Sequence, residues 1–372
     1  MRLLFTTTGH AGHVLPLVPL ARACLRAGDE VRVAGPRSRG AVVRDAELPF
    51  WPFDDPPEDE VWSVFAPTST MPPEEANAVV IGEVFGRLAA GAALPGVEAM
   101  IEAWRPDAIV RESYEFASVL AAERAAVPHV RVATGLASTE DWLLDHAAAA
   151  IELPLAAVRA SPLVSLTPPA LDDGPAAHRF RADVPASGAN RWGEPLVYVT
   201  FGSVAAGTLL YPAIYRAALD ALADLPVRVL MTIGAGGDVG DIGPLPANAV
   251  VERWVPQAEV TAHAAAMVCH GGYGTTIGAL ADGVPVVVAP LFADQGRNAA
   301  RVAEVGAGLA LPMAASIEAA DVAGLGALVR RVLDEPSFGV VARRVAESVA
   351  ALPGVDSAPA VLGAIAGRRL AA

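Results

Sequence analysis

The stretch CHGGYGTTIGALADGVPVVVAPLFADQ (Cys269–Gln295) decides the fold of the second half of the chain. A short apolar run ends at His270, a glycine-rich turn and a helical stretch follow, and a second apolar run occupies 285–290. Short, continuous apolar strands that alternate with helices are typical of parallel sheets covered on both faces. Glycines let the backbone approach a ligand closely, and the N–H groups at a helix start favour an anion such as phosphate.

The same alternation extends outward through both halves of the chain. In the first half we predict strands at 3–7, 31–34, 107–110 and 129–134, with helices from Leu17 and over 116–127. In the second half we predict strands at 196–201, 227–233, 249–254, 267–270 and 285–290, with helices near 211–224, 257–265, 274–282 and 295–305. The predicted fold class is α/β, with two Rossmann-like, doubly wound parallel-sheet domains facing a cleft.

A stretch rich in Pro, Gly and Ala without periodicity separates the two halves. We therefore predict an N-terminal domain at 1–180, a linker at 181–195 and a C-terminal domain at 196–372. The final helix (358–370) could pack on either domain. The segment 54–75, rich in Pro, Asp and Glu, indicates a long surface excursion.

Composition excludes several classes of protein. The chain has 372 residues, 53% hydrophobic and 18% charged, and its net charge of −14 argues against a general binder of nucleic acid or anionic membrane. The polar stretch TTTGHAGH ends the first apolar run too early for a signal peptide, and no uninterrupted apolar run approaches the ~20 residues of a membrane span. The two cysteines, Cys24 and Cys269, are expected to be buried thiols. We expect a soluble, cytoplasmic protein without a membrane span.

Four motifs follow one another in a fixed order: WVPQ (254–257), HGGYGTTIGAL (270–280), GVPV (283–286) and Asp294-Gln295. With GHVLP (12–16) and VTFGSV (199–204), they resemble the nucleotide-sugar signature of family 1 glycosyltransferases of the GT-B fold, most of all the bacterial enzymes that glycosylate natural products such as antibiotics. The resemblance implies a donor site in which Trp254 and Val255 hold the base, Ser203, His270, Gly272 and Thr275 hold the diphosphate, Asp294 and Gln295 hold the sugar hydroxyls, and Gly12, Gln257, Gly271 and Gly274 complete the site.

The resemblance also implies that His13, directly before VLP, is the general base. Its ordinary pKa suits removal of a hydroxyl proton, and a helix N-terminus should disfavour the imidazolium form. His10 is expected to line the loop instead. A carboxylate usually orients such a base, and this chain has Glu112 where the family commonly has Asp; Glu115 is the rival partner.

The implied reaction is an inverting displacement in which the acceptor hydroxyl attacks the anomeric carbon. The resemblance implies no metal or other cofactor, with the nucleotide sugar as co-substrate. Many UDP-sugar enzymes of the family carry Glu where this chain has Gly278, which favours a dTDP-deoxysugar donor. A cluster of aromatic residues should line a pocket for a small hydrophobic acceptor: Trp51, Phe53, Trp62, Phe65, Phe85 and Trp142.

Two alternative functions stay open on the sequence alone. One is a non-catalytic nucleotide-binding homologue that acts as an auxiliary protein to a partner enzyme, for which the unusual Glu112 is the only support. The other is a dinucleotide-dependent oxidoreductase, suggested by GAGGDVG (234–240), although Val239 occupies the place of the third glycine in that fingerprint. The identity of the sugar and of the aglycone, the O-, N- or C-glycosidic bond, and a possible homodimer stay open as well.

Overall fold

The computed structural model describes residues 1–150, 153–172, 174, 178–182, 195–234, 236–316 and 320–367, with backbone alone for 147 and 148. Within these residues the chain forms two parallel sheets, one in each half. The predicted α/β class with two doubly wound lobes is confirmed. The predicted linker lies mostly outside the described residues, so the domain boundaries stay a prediction.

The sheet of the first lobe has the strand order β3-β2-β1-β4-β5-β6-β7. Its strands are β1 (Arg2–Thr6), β2 (Glu30–Pro36), β3 (Phe50–Phe53), β4 (Ala108–Glu112), β5 (His129–Val132), β6 (Leu163–Ser165) and β7 (His178–Arg179). The sheet of the second lobe has the order β10-β9-β8-β11-β12-β13. Its strands are β8 (Leu196–Thr200), β9 (Arg228–Thr232), β10 (Ala249–Glu252), β11 (Ala264–Cys269), β12 (Val286–Val288) and β13 (Gly308–Ala310).

Helices cover both faces of each sheet. The α-helices are α1 (Ala11–Val14), α2 (Val18–Arg26), α3 (Ala41–Asp45), α4 (Glu58–Phe65), α5 (Pro73–Val79), α6 (Ala90–Trp104), α7 (Ala117–Ala125), α8 (Ala137–Ala150), α9 (Leu155–Ala160), α10 (Ala213–Leu222), α11 (Gln257–Thr261), α12 (Tyr273–Ala281), α13 (Gln295–Val305), α14 (Leu325–Asp334), α15 (Pro336–Ala350) and α16 (Ala358–Gly367). A π-helical segment, Val80–Ala89, joins α5 to α6.

Each sheet reverses its strand order at one point, and ligands of such sheets bind outside the carboxyl ends of the strands there. In the first lobe, β1 pairs with both β2 and β4, so the reversal lies between β1 and β4. In the second lobe, β8 pairs with both β9 and β11. The loops after β1, β4, β8 and β11 therefore define where a site is expected.

The last helix packs on the first lobe. Leu362 and Ile365 of α16 are buried in one apolar cluster with Leu3 and Phe5 of β1. The chain therefore ends its described part on the lobe in which it began.

One helical run, Pro73–Trp104, is long and apolar enough to cross a membrane by length and composition, which is weak evidence alone. The run packs on α7 and α8, and its C-terminal part buries Val97 and Met100 against the first sheet. Apolar core helices of soluble proteins have the same length and composition.

Two sequence expectations need detail or correction. The surface excursion predicted at 54–75 contains α4 and the start of α5, and no residue of α4 is buried. The predicted helix at 257–265 ends at Thr261, and Ala264 already begins β11, which pairs with β8.

Candidate active site

The glycine turn, residues His270–Thr275, follows β11 and opens α12. Gly271 has φ +85°, and a Cβ there would lie 2.7 Å from a methyl carbon of Val288 and 3.0 Å from the carbonyl oxygen of Gln295. Only glycine fits this conformation without strain. The first N–H groups of α12 have no partner inside the helix, so the turn presents donors suited to an anion.

The ring of His270 lies between two glycines. A Cβ at Gly202 (φ +79°) would lie 2.6 Å from its Cε1 atom, and a Cβ at Gly272 would lie 2.4 Å from Nε2. Burial lowers the pKa of His270 to about 4, so the ring is neutral and can act as an N–H donor but not as a cation. The neighbouring Ser203 is exposed.

Asn298 fastens the glycine turn to the Asp294 loop (residues 291–294). Its Nδ2 group donates to the carbonyl oxygen of Gly271 and to Oδ2 of Asp294, both at 2.9 Å. Burial raises the pKa of Asp294, against the effect of the hydrogen bond from Asn298. No role was predicted for Asn298 from the sequence, although its position four residues after Asp294 was an available signal for a contact between the two.

Gln295 is 3% exposed, and its Oε1 atom accepts the N–H groups of Leu291 at 2.8 Å and Phe292 at 3.1 Å. Its oxygen therefore holds the Asp294 loop, and a bond to a sugar would depend on its amide nitrogen. The role of Gln295 as a sugar ligand stays a prediction.

The residues predicted to bind the nucleobase of the donor are accessible. Trp254 is 69% exposed, and Val255 is half-buried against an apolar cluster of the second lobe. Gln257 donates through Nε2 to the carbonyl oxygen of Thr275 at 2.9 Å. The same Nε2 atom lies 2.6 Å from the place of a Cβ on Gly278, so Gln257 covers that position.

His13 lies in α1, after β1, and Glu112 is the last residue of β4. Nδ1 of His13 lies 3.0 Å from Oε2 of Glu112, whose side chain is fully buried. Oε2 also accepts the N–H of Tyr114 at 2.7 Å, while Oε1 accepts the N–H and hydroxyl of Thr8 at 3.1 and 2.8 Å. The longer Glu side chain therefore reaches the histidine from the strand end.

The electrostatics of this pair differ from the helix-dipole expectation for His13. Burial alone would lower the pKa of His13, but the charge of Glu112 raises it above its ordinary value. Burial alone would raise the pKa of Glu112, but His13 and the surrounding donors lower it. The expected shift toward the neutral imidazole is therefore wrong in direction, because the charge of Glu112 outweighs burial.

Glu115 and His10 are engaged elsewhere. Glu115 precedes α7, and its carboxylate accepts the N–H of Ser118 at 3.2 Å. Glu112 is therefore the carboxylate that contacts His13. His10 contacts Arg39, with Nδ1 and Nη1 3.2 Å apart.

Glu140 is a buried carboxyl near the cleft that the sequence argument missed. Oε1 accepts the N–H groups of Thr134 at 2.7 Å and Gly135 at 3.0 Å, and Oε2 lies 2.6 Å from the hydroxyl of Ser113. That hydroxyl also lies 3.1 Å from the carbonyl oxygen of Val132 and has one proton to donate. Burial raises the pKa of Glu140 to about 7. In the protonated form, Oε2–H donates to the Ser113 hydroxyl, and that hydroxyl donates its own proton to the carbonyl oxygen of Val132.

The two lobes meet beside Asp294. A Cβ on Gly135 of the first lobe would lie 3.5 Å from Oδ2 of Asp294, and the charge of Asp294 raises the pKa of His13. Asn77 of the first lobe donates through Nδ2 to the carbonyl oxygen of Ala293 at 2.8 Å. The site residues of the two lobes therefore share one cleft.

Two further contacts join the lobes at this level. The Tyr273 hydroxyl lies 2.6 Å from Oγ1 of Thr167, and the Arg297 guanidinium lies 4.4 Å from the ring centroid of Trp142. Trp142, predicted to line the acceptor pocket, therefore contacts α13.

A cavity of about 1120 Å³ opens in the first lobe beside His13. Four of the predicted aromatic residues line it: Phe53, Trp62, Phe65 and Phe85. The ring of Phe85 lies 5.6 Å from that of His13. Trp51 instead packs against Trp104 and Arg32, so its prediction as a pocket residue is not matched by its position.

Comparison with known proteins identifies two family domains. Residues 74–185 match the erythromycin biosynthesis protein CIII-like N-terminal domain, and residues 216–360 match the corresponding C-terminal domain. The chain is 32% identical to elloramycin glycosyltransferase ElmGT of Streptomyces olivaceus, over 95% of this chain and 94% of the relative. It is 31% identical to L-demethylnoviosyl transferase of Streptomyces niveus, over 95% of each.

The fold is similar to that of a solved glycosyltransferase. The structure of VinC in complex with dTDP has a TM-score of 0.76 and 25% sequence identity, over 99% of this chain and all of that chain.

Proposed function

The chain belongs to the GT-B glycosyltransferases of natural-product biosynthesis that carry the CIII-like domains, and on this basis we propose that it is an inverting enzyme with His13 as general base. We propose that it transfers a deoxysugar from a dTDP-sugar to a small apolar natural-product aglycone. The observation that carries the proposal is that the His13–Glu112 pair and Asp294 come from different lobes and lie at one cleft.

In the proposed mechanism, Nε2 of His13 takes the proton of the acceptor hydroxyl while Nδ1–H faces Glu112. The carboxylate stabilises the imidazolium that forms, in the way a buried carboxylate supports a catalytic histidine. The hydroxyl oxygen attacks the anomeric carbon, and the nucleoside diphosphate leaves from the opposite face. The N–H groups of the glycine turn and the neutral His270 donate to the departing phosphate.

Gly278 supports a dTDP donor over a UDP donor. An acidic side chain at this position would have to displace Gln257, whose Nε2 stands 2.6 Å from the Cβ position. A site without that acid suits a deoxyribose, which offers one hydroxyl fewer. The complex of VinC with dTDP is consistent with this choice.

The remaining parts of the proposal concern the acceptor and the conditions. The aromatic lining of the cavity supports an apolar aglycone. We also propose that the protein is cytoplasmic and that the reaction needs no metal, in which case EDTA leaves the rate unchanged. A homodimer is a further proposal that sedimentation velocity tests.

The test is a donor–acceptor screen read by mass spectrometry, with the anomeric configuration of the product determined by NMR. The proposal expects an added deoxyhexose, an inverted anomeric centre, and loss of transfer in His13→Ala with dTDP binding retained. Retention of configuration would overturn the mechanism. Binding of dTDP without turnover by the wild type, for any donor, would favour the auxiliary-protein alternative.

A further inference from the structure

A single turn of 3-10 helix, Arg37–Arg39, stands at the rim of the acceptor cavity. Nη2 of Arg37 lies 3.4 Å from Oδ1 of Asp54, and the backbone N–H of Ser38 donates to Oδ2 of Asp55 at 3.0 Å. Arg39 differs from its neighbours, because no carboxylate among the described residues lies within 4.0 Å of its guanidinium. Arg39 is therefore a cation without a direct carboxylate contact, in a cavity whose lining also contains Asp55, Glu58, Asp59 and Glu115.

The polar contact of Arg39 is with His10. Nη1 of Arg39 lies 3.2 Å from Nδ1 of His10, and a guanidinium only donates hydrogen bonds. Nδ1 must therefore accept, which places the ring proton on Nε2. Burial, followed by the charge of Arg39, lowers the pKa of His10 to about 4 and keeps the ring in this neutral form. His10 and Arg39 both line the cavity, so the pair presents an N–H donor next to a cation.

The backbone holds this pair in place. Gly9 has φ +87°, and a Cβ there would lie 2.6 Å from Cβ of Arg39. The turn after β1 can approach the arginine so closely only because residue 9 is glycine. The ring centroids of His10 and His13 are 6.2 Å apart, so the pair lies one small functional group away from the predicted base.

We propose that His10 and Arg39 form an anion-binding subsite of the acceptor cavity. It recognises a second oxygen of the acceptor, one that carries negative charge, beside the hydroxyl that faces His13. This inference deepens the proposed function and rests on it, since it assigns the cavity to the acceptor. The acceptor class is thus an aromatic or polyketide-like scaffold with an ionised phenol, enol or carboxylate near the reacting hydroxyl. Apolar side chains, among them Phe53, Trp62 and Phe85, contact the rest of the scaffold.

A matched pair of probes tests the subsite: 4-hydroxy-2-naphthoate, whose carboxylate is meta to its hydroxyl, and the methyl ester of the same acid. Dissociation constants are measured on the full chain with saturating dTDP by quenching of tryptophan fluorescence. The wild type should prefer the acid. Arg39→Gln should weaken binding of the acid about tenfold, the loss of one charge-assisted contact, and change the ester less than about twofold. His10→Phe should act in the same direction.

Arg37→Gln is the control, since it removes a neighbouring arginine that is paired with Asp54. It should leave the preference for the acid unchanged. An equal affinity of the wild type for both probes, including no detectable binding of the acid, overturns the inference. So does a loss of dTDP affinity in Arg39→Gln, which would assign the arginine to the donor site. If no sugar is transferred from any donor but the preference still depends on Arg39, the proposed function fails and the subsite stands.

Discussion

Replacing Glu112 by Gln removes one charge from the cleft and leaves the size of the side chain unchanged. In the wild type, both carboxylate oxygens face donors: Oε2 faces His13 and the N–H of Tyr114, and Oε1 faces the N–H and hydroxyl of Thr8. An amide NH₂ group at either end therefore meets at least one donor. If it faces Nδ1 of His13, the imidazole must carry its proton on Nε2 and cannot accept the acceptor's proton.

The magnitude follows from the 3.0 Å contact between His13 and Glu112. Two unit charges at this distance interact by about 5 kcal/mol at an effective dielectric constant of about 20. Proton transfer is partial in the transition state, and His13 is 20% exposed, so about half of this energy remains. That corresponds to about a 10²-fold loss of kcat/KM, and the wrong tautomer extends it toward about 10⁴-fold.

The assay is kcat/KM against pH, with the glycoside quantified by mass spectrometry. Activity requires neutral His13, so it rises with pH through the pKa that Glu112 raises. In Glu112→Gln the rise of kcat/KM (the acidic limb of the profile) should occur at lower pH, and the plateau that kcat/KM reaches should be much lower than in the wild type. Glu112→Asp keeps the charge, so its kcat/KM should rise at a higher pH than that of the Gln variant. Glu115→Gln is the matched control, and it should leave the limb in place.

A loss below about fivefold, with the acidic limb where it is in the wild type, would refute the reasoning. It would mean that the contact between Glu112 and His13 is structural. A similar movement of the limb in Glu115→Gln would assign the partner role to the rival carboxyl. Thermal unfolding of each variant separates these outcomes from a fold defect, since a buried donor conflict costs about 1–3 kcal/mol.

Three further predictions concern the surroundings of the site. The folded-state pKa of Glu140 is raised from 4.5 to about 7, so the native state binds more protons than the unfolded state between these two values. The stability of the wild type therefore falls as pH rises through this window. The Glu140→Gln variant lacks this dependence, so calorimetry should show its Tm increasing relative to that of the wild type between pH 5 and pH 8. Asn77→Ala removes the bond to Ala293 and should raise KM for the dTDP-sugar about 3–10-fold, while calorimetric affinity for dTDP, which lacks the sugar, stays the same; equal losses for both ligands would contradict this. Gly278→Glu must displace Gln257 and should reduce the thermal shift caused by dTDP, and an unchanged shift would remove the argument from this glycine.

The sheets could be predicted because their strands are buried on both faces. Val286–Val288 is a run of three valines without a polar residue, and Leu3–Phe5 is fully buried in the same way. The helix at 257–265 was predicted too long because Ala264–Ala266 has high intrinsic helix propensity. Pairing of β11 with β8 overrides that propensity, and such pairing is not visible in the local sequence.

Some features of the site could likewise be predicted from the sequence, and others could not. The glycine turn was predictable because it directly follows a strand, and the position of Glu112 because it lies at the end of one. The contact of Tyr273 with Thr167 and the contact of Arg39 with His10 were not, because they join residues from different elements. The direction of the pKa shift of His13 was mispredicted although Glu112 was named as its partner, because the sequence does not give the 3.0 Å separation of the two groups.

The loop before Asp294 is held by contacts from both lobes, which bears on the proposed role of Asp294 in binding the sugar. Ala293 has φ +56°, a conformation that costs a non-glycine residue of order 1–3 kcal/mol. Its carbonyl oxygen accepts the bond from Asn77 of the first lobe, while Asn298 of the second lobe holds Asp294 against the glycine turn. A donor sugar that bonds to Asp294 therefore binds a loop whose conformation depends on contacts between the lobes. The same contacts hold Asp294 near enough to His13 for its charge to raise the pKa of the proposed base.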